Sequence, residues 1–349
     1  MVQKNIPIHE KYMRRCFELA KHGNSFVVPN PMVGAVLVYN DRIIGEGFHA
    51  QFGAAHAEVN CLNSVVPEQQ HLIAHSTLYV SLEPCSHFGK TPPCVDLIIQ
   101  HKIPKVVIAV LDKFDLVNGK GIEKLIENNI EVITGILEIE GEELLKHFLS
   151  FQHKKRPYIT LKFAQTKDGF IGIKKEELKI SNSLSQHYTH QLRAEHQAIL
   201  VGKTTVLTDN PKLNVRLVNG KNPVRLVIGT KQHIPITHHI FNQEAETFFI
   251  HHPTEKISIP TIIEMLKNRN IISVLIEGGA NVLQQFIDAG IWEEAHIITH
   301  QQNLNEITEE KNELKYIQSP IITGNLVRSF SLQDDIIHVL KNSNDLSYT

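Results

Sequence analysis

At 349 residues the chain is long enough for two or three domains, and 42% hydrophobic with 21% charged residues excludes a mostly disordered or fibrous protein. Lys+Arg 35 against Asp+Glu 37 leaves a formal net charge of -2, so no broad positive field is available to hold nucleic acid non-specifically. The longest apolar run, Val106–Leu111, is far short of the roughly 20 residues of a membrane span, the opening MVQKNIPIHEKYMRRC has no apolar core of a signal peptide, and four cysteines make no disulfide framework.

The first half alternates helical and strand patterns. Tyr12, Cys16, Leu19 and Ala20 recur at helical spacing over His9–Lys21, and His22-Gly23 stops the helix. Val33–Tyr39 reads as a buried strand, Asn40-Asp41 as a tight turn and Ile43–Phe48 as the hairpin partner. A helix over His56–Ser64, a strand over Leu78–Leu82 and a Pro/Gly-rich loop follow. Then come a helix over Cys94–His101, a strand Val106–Val110, a helix from Gly121, a strand Glu131–Ile133 and a helix Ile139–Leu149. About 150 residues of this order suffice for one α/β core. The basic run His153–Pro157 reads as a solvated linker.

From Tyr158 the pattern restarts with the strand YITLKFA and a helix Ser183–His196, in which Leu184, Tyr188 and Leu192 recur every four residues. Strands are expected at Ala198–Val201, Val224–Ile228, Phe248–Ile250, Ser273–Ile276, Ala295–Thr299 and Ile336–Leu340, with a helix over Val282–Ala289. The expectation is two α/β domains in series, 1–150 and 157–349.

The strongest local signal is His56-Ala57-Glu58 followed by Pro84-Cys85 and Pro92-Pro93-Cys94. A catalytic zinc needs about three N or S ligands and one position open to water. His56, Cys85 and Cys94 supply that count. Glu58, two residues from His56 in the first turn of a helix, is placed to carry protons without being a ligand. The helix that Cys94 begins is expected to help hold its sulfur as thiolate. Cys16 and Cys61 read as core thiols. The alternative is a structural zinc with a fourth ligand, His87 or Cys61.

This pattern resembles the zinc nucleobase deaminases, except that eight residues separate the two cysteines. The loop CSHFGKTPPC, together with Pro29-Asn30-Pro31-Met32-Val33-Gly34, resembles the bifunctional riboflavin-biosynthesis deaminase/reductase family of the RibD/RibG type. The resemblance implies a cytidine-deaminase-like three-layer N-terminal domain, with Asn30, His49, His87 and Lys90 contacting the pyrimidine and its ribose phosphate. The plain readings are an Asn-Pro turn for Asn30 and an exposed Lys90. Where relatives carry an Asp-Pro-Asn-Pro segment, this chain has Asp112-Lys113-Phe114-Asp115.

The second half resembles the same family's reductase half, which is similar to dihydrofolate reductase in architecture. The matching pieces are Leu161-Lys162-Phe163-Ala164, Leu192-Arg193-Ala194-Glu195, Thr205–Arg216 and Ile276–Leu283. Glu277-Gly278-Gly279 stands where a strand gives way to a helix, and its glycines allow a phosphate to approach backbone N–H groups. Ala280 and Asn281 open that helix. Arg193 and Arg216 are candidates for gripping a substrate phosphate. For Arg193 the alternative is pairing with Glu195 or solvent, and for Lys162 a merely solvated position. The resemblance implies catalytic roles for Lys162 and Glu277, substrate contact for Leu213, and cofactor contacts for Ala164, Thr205, Asp209, Gly278, Gly279, Ala280 and Asn281. After its late strand this chain has Thr299–Leu304 in place of a Pro-Lys-Leu-Leu-Gly-like segment, and Lys179 where many relatives have tryptophan.

The expected function is deamination of a diamino-ribosylamino-pyrimidinone 5′-phosphate at zinc, then reduction of its ribosyl side chain to ribityl by NADPH. A cytoplasmic homo-oligomer is expected, with a small-molecule substrate and neither nucleic acid nor membrane as partner. The rivals are a deaminase with a silent second domain and a zinc-stapled nucleotide-binding module.

Overall fold

The computed structural model describes residues 6–86, 88, 92–112, 119–251 and 257–343, and the chain divides into two compact units, Met1–Lys155 and Arg156–Thr349. In chain order the first unit contains α1 (Ile6–Lys21), β1 (Gly34–Tyr39), β2 (Arg42–Phe48), α2 (Ala57–Asn63), β3 (Thr77–Leu82), α3 (Cys94–Gln100), β4 (Lys105–Val110), α4 (Lys120–Glu127), β5 (Glu131–Ile133) and α5 (Glu138–Lys154). Its sheet runs β2-β1-β3-β4-β5. The β1–β2 hairpin and the β1–β3 pair are antiparallel, and β3, β4 and β5 are parallel. The hairpin turns through Asn40 and Asp41, both at positive φ, as an Asn-Asp pair tolerates.

Strand alternation builds three layers. Leu37, Val80 and Ile108 face one way and meet Cys61 and Leu62 of α2, Ile98 of α3 and Leu125 of α4. Val36, Tyr79 and Val107 face the other way and meet Tyr12, Met13 and Phe17 of α1 with Leu145 and Leu149 of α5. Each fully buried aliphatic side chain of this kind contributes about 1.5–3 kcal/mol. Gly47 sets the height of α2 above the sheet: a Cβ there would stand 2.2 Å from the Cys61 N and 2.6 Å from the Ala57 O. Only glycine lets α2 lie this close.

The expected linker is absent as such. Helix α5 continues through His153 to Lys154, and Lys155 ends it in the left-handed region at φ 53. Arg156 belongs to the second unit, where its Nη2 lies 2.6 Å from the carboxylate of Glu293, a side chain only 2% exposed. His153 and Lys155 are exposed, as a charge run predicts, while Arg156 departs from that reading because its acidic partner lies far along the chain.

The second unit contains β6 (Tyr158–Gln165), β7 (Phe170–Ile173), α6 (Ser183–Glu195), β8 (Ala198–Gly202), α7 (Lys203–Asp209), β9 (Val224–Ile228), β10 (Thr247–Ile250), α8 (Ile259–Lys267), β11 (Ser273–Ile276), α9 (Ala280–Asp288), β12 (Glu294–His300), α10 (Leu304–Ile307), β13 (Tyr316–Gln318), β14 (Asn325–Leu332) and β15 (Asp335–Lys341). The large sheet runs β10-β9-β8-β11-β6-β12-β15-β14, parallel from β10 to β12 and antiparallel beyond. A separate antiparallel pair joins β13 to β7. On one face Ile159, Leu161 and Phe163 of β6 pack with α8 and α9 through Ile262, Leu266, Leu283 and Phe286. On the other, Ile199, Val201 and Val227 meet Val206 of α7, and Ile298 and Ile337 meet Tyr188 of α6.

Helix α6 is capped by Asn182, whose side chain accepts the Ser185 N–H while its own N–H donates to Asp335 Oδ2 at 2.9 Å. Such a cap is worth ~1 kcal/mol, and this one ties α6 to β15. The expected stripe of α6 is shifted, because Leu184 is exposed and the buried positions are Ser185, Thr189, His190, Leu192 and Ala194. Of α6, His190 and Arg193, invisible to a hydrophobic count, are what reaches the site.

Candidate active sites

In the first unit the metal-type side chains converge. The ligating atoms of His56, Cys85 and Cys94 all lie within 4.8 Å of one another. His56 Nδ1 stands 3.6 Å from Cys85 Sγ and 3.3 Å from Cys94 Sγ. Tetrahedral bonds of zinc length to one nitrogen and two sulfurs require N···S edges of roughly 3.5 Å. The donor set therefore fits zinc in both chemistry and size. Three elements hold it: His56 is the N-cap of α2, Cys85 follows β3, and Cys94 opens α3 after Pro93.

Electrostatics divide the two thiols. The hydrogen bond with Cys94, and beyond it His56, holds Cys85 well below the ordinary thiol value, at about 4. The same bond, with burial, pushes Cys94 far up. The expected effect of the α3 start therefore falls on the other cysteine: the Cys94 N–H donates to Cys85 Sγ at 3.3 Å. A divalent cation would hold both sulfurs, half-buried Cys85 and buried Cys94, as thiolates.

Glu58 is 4% exposed beside this cluster, and burial followed by the Cys85 charge pushes its carboxyl up. Asn30 and His49 stand next to it. His49 Nδ1 is 3.0 Å from the Ala55 O, which makes Nδ1 the donor, so Nε2 accepts from Asn30 Nδ2 at 3.2 Å. Burial lowers the His49 pKa, and its ring meets His56 edge-on at 5.5 Å between centroids. The structure thus joins Asn30, His49, His56, Glu58, Cys85 and Cys94, while His87 and Lys90 lie outside the described residues. Cys61, considered as a fourth ligand, is a buried thiol whose pKa burial raises, packed against the sheet by α2.

One residue of this unit escaped the sequence reading. Glu83, 4% exposed at the end of β3, accepts the N–H groups of Asp112, Gly119 and Gly121 at 3.1–3.3 Å. A carboxylate ending an apolar strand two residues before a ligand was the available signal.

In the second unit Lys162 points away from its neighbours Leu161 and Phe163, as strand alternation requires. The strand register sets it beside His296 of β12. Glu277, immediately after β11, stands between two cations. Arg193 Nε and Nη2 donate to its two carboxylate oxygens at 2.7 and 2.9 Å, and Lys162 Nζ is 3.8 Å away. Burial alone would push Glu277 up, but the charges of Arg193 and Lys162 hold it down at about 2. For Lys162 burial outweighs the attraction of Glu277 and lowers its pKa.

Arg193 pairs with Glu277, not with Glu195 or solvent, and its Nη1 also reaches the Asn214 O at 3.3 Å. Arg216 donates from Nη1 to Asn214 Oδ1 at 2.9 Å, and its backbone N–H donates to His190 Nδ1 at 3.2 Å. Burial, then the charges of Arg193 and Arg216, hold His190 at about 4, so its ring is neutral near pH 7. Leu213 is buried at φ 48 in the same turn. His190 and Asn214 are the members that sequence reasoning missed.

Of the remaining cofactor candidates, Gly278, Gly279, Ala280, Asn281 and Thr205 gather around the start of α9. Gly279 is its N-cap, with no side chain closing the helix end, and a Cβ there would come within 3.4 Å of Thr205 Oγ1. Gly278 has no room for a side chain, since its Cβ would meet Val282 at 2.9 Å. Ala280 begins the helix, and the Asn281 side chain accepts from Gln285 at 2.6 Å. An open helix start beside a hydroxyl fits a dinucleotide phosphate. Ala164 lies on the Lys162 face of β6, among Ile298 and Tyr188. Asp209, at the end of α7, is pushed up to about 6 by burial and the Glu177 charge.

Comparison with known proteins places these features. Residues 7–110 match the cytidine and deoxycytidylate deaminase zinc-binding region, and residues 157–300 match the RibD C-terminal domain. Riboflavin biosynthesis protein RibD of Bacillus amyloliquefaciens is 40% identical over 83% of each chain. A solved diaminohydroxyphosphoribosylaminopyrimidine deaminase/5-amino-6-(5-phosphoribosylamino)uracil reductase of Thermotoga maritima is 33% identical, covering 97% of this chain and 99% of that one with a TM-score of 0.84. RibD of Acinetobacter baumannii, 29% identical, gives the same TM-score over 97% and 99%.

Proposed function

The chain belongs to the RibD family of riboflavin-biosynthesis deaminase/reductases, and on that premise we propose which of its residues do the work of each half. Its cofactors are zinc and NADPH. The observation that carries the residue assignment is the donor cluster His56, Cys85 and Cys94 with the buried Glu58 carboxyl beside it.

Deamination is assigned to 1–150. His56, Cys85 and Cys94 would hold the zinc, which supplies activation of water for hydrolysis at neutral pH. Glu58 takes a proton and returns it to the ring nitrogen and the departing ammonia, a duty its raised pKa suits. Asn30, fixed by His49, orients the pyrimidine of 2,5-diamino-6-ribosylamino-4(3H)-pyrimidinone 5′-phosphate, and His87 and Lys90 belong to the same substrate set. Reduction of the ribosyl to a ribityl side chain is assigned to 157–349. NADPH would supply the hydride; Gly278, Gly279, Ala280 and Asn281 at the α9 start, with Thr205 beside them, would hold it, and Asp209 and Ala164 belong to the same cofactor set. Lys162, its charge weakened by burial and steadied by Glu277, stands as the proton donor to the sugar oxygen. Arg216 meets the substrate's 5′-phosphate, while Arg193 and Leu213 shape that wall of the site.

A reducing cytoplasm suits the four free thiols. No helix among the described residues is long and apolar enough to cross a membrane. The homo-oligomer belongs to the same proposal, supported by β14, an eight-residue outer strand with Leu326 and Val327 more than half exposed. Mass analysis of the pyrimidine incubated with enzyme tests the whole reading. Amino-to-oxo exchange is expected without NADPH, and a gain of two further hydrogens with it. An unchanged ribosyl product in the presence of NADPH would refute the reductase assignment.

A further inference from the structure

We propose that Asn214 is a positioning residue for reduction, holding Arg216 toward the substrate's phosphate while Arg193 stays on Glu277. The inference rests on the phosphate role given to Arg216 above. Asn214 is 7% exposed, and each of its polar atoms named here has a single chemical choice. Oδ1 accepts from Arg216 Nη1 at 2.9 Å, and Nδ2 donates to Glu244 Oε2 at 2.7 Å. A guanidinium only donates and a carboxylate only accepts, so the amide cannot be turned over without losing both bonds. Its backbone O accepts from Arg193 Nη1 at 3.3 Å. One residue therefore bonds both arginines, whose charges repel each other.

The main chain around it is pinned. The Val215 N–H donates to Asn222 Oδ1 at 2.8 Å, and the Arg216 N–H donates to the neutral ring of His190. Behind Glu244 stands Arg225 on β9, fully buried. Its Nη1 donates to the His239 O at 3.1 Å and to Asn242 Oδ1 at 2.8 Å. Its Nη2 lies 3.9 Å from Glu244 Oε2, and neither Nε nor Nη2 has a hydrogen-bond partner among the described residues. Asn242 Oδ1 also accepts the Glu244 N–H at 3.1 Å. An apolar side chain would sit in that core at less cost than a guanidinium. The buried charge is accounted for by what it does: it holds the half-exposed Glu244 carboxylate where Asn214 needs it. The order is Arg225, Glu244, Asn214, Arg216.

The test uses the full-length enzyme with Asn214→Leu. The readouts are NADPH oxidation with the phosphorylated intermediate and with its phosphate-free counterpart, competitive inhibition by inorganic phosphate, and the NADPH dissociation constant. Efficiency should fall about tenfold more with the phosphorylated compound than with the other, and inorganic phosphate should inhibit about tenfold more weakly. Asn214→Asp should retain efficiency at acid pH and lose it as pH rises, because two facing carboxylates cannot both ionise at close range. The parent keeps only the basic fall set by Lys162, so the extra limb is read as the difference between the two profiles. Equal losses with both compounds, or none, overturn the positioning role. Arg216→Ala separates the two layers of the argument: if it penalises both compounds equally, the phosphate reading itself fails. If it discriminates and Asn214→Leu does not, only the role of Asn214 fails. Should Asn214→Leu fail to bind NADPH, Glu244→Ala, which removes the acceptor of the Asn214 amide, carries the same comparison from the exposed end of the bond.

Discussion

The two units solve the placement of charge differently. In the first, reactive groups come from a short stretch, His56 to Cys94, and each is identified by its type and by motifs around it. In the second, Lys162, Arg193 and Glu277 arrive from a strand, a helix and a strand end spread over more than a hundred residues. Metal ligation needs particular atoms in a small set of geometries, so its signature is local and chemical. An ion cluster needs only opposite charges in a dry place, and almost any fold can bring those from anywhere. The lesson is that the metal half announces its chemistry residue by residue, whereas the reductase half shows it only when folded.

Removing a ligand should break the first half most completely. Cys85→Ser is expected to lose most bound zinc and with it deamination, read by elemental analysis and ammonia release; full zinc retention would remove Cys85 from the ligand set. Glu58→Gln sharpens the same half. Zinc should stay while deamination falls about 10²–10⁴-fold, and an unchanged rate would make Glu58 structural. In the second half, Glu277→Ala leaves Arg193 and Lys162 buried without their shared anion, a loss of about 3–5 kcal/mol. NADPH oxidation should stop and the thermal transition of this unit fall, while ammonia release continues. Loss of both activities together would contradict the separation of sites.

The smallest effect concerns Asp209. Its folded pKa, about 6, lies above the ordinary carboxylate value, so between roughly pH 4 and pH 6 the folded state holds a proton that the unfolded chain has lost. Stability contributed by that proton is therefore lost as pH rises through this window, on the order of 1–2 kcal/mol. Asp209→Asn should flatten the slope and raise the melting temperature at pH 8 more than at pH 4. An identical pH dependence in variant and parent would place the titration elsewhere.

Strands with unbroken apolar runs, such as Val224–Ile228 and Ser273–Ile276, were legible to the residue, since a buried parallel strand has nothing else to encode. Missed elements were of another kind. Strand β14 is exposed along most of its length, α7 is short and polar, and β7 and β13 form a two-stranded sheet of their own. The convergence of His56, Cys85 and Cys94, with Glu58 beside them, was readable because their types are informative. Asn214, His190 and Arg225 were not: an asparagine in a turn, a histidine on a helix and an arginine in a strand have common, unremarkable uses. Their meaning lies in bonds to residues 17 to 30 positions away.

The ion pair of Arg156 with Glu293 bears on how the molecule can be cut. Gene fission, or an expression clone of the reductase alone, requires a first codon. Starting at Pro157 follows the visible sequence break, yet it discards the cation lying against a carboxylate almost wholly withdrawn from water. Starting one codon earlier keeps it. Fragments differing by that arginine should differ in soluble yield, because its electrostatic partner lies 137 residues downstream within the reductase half.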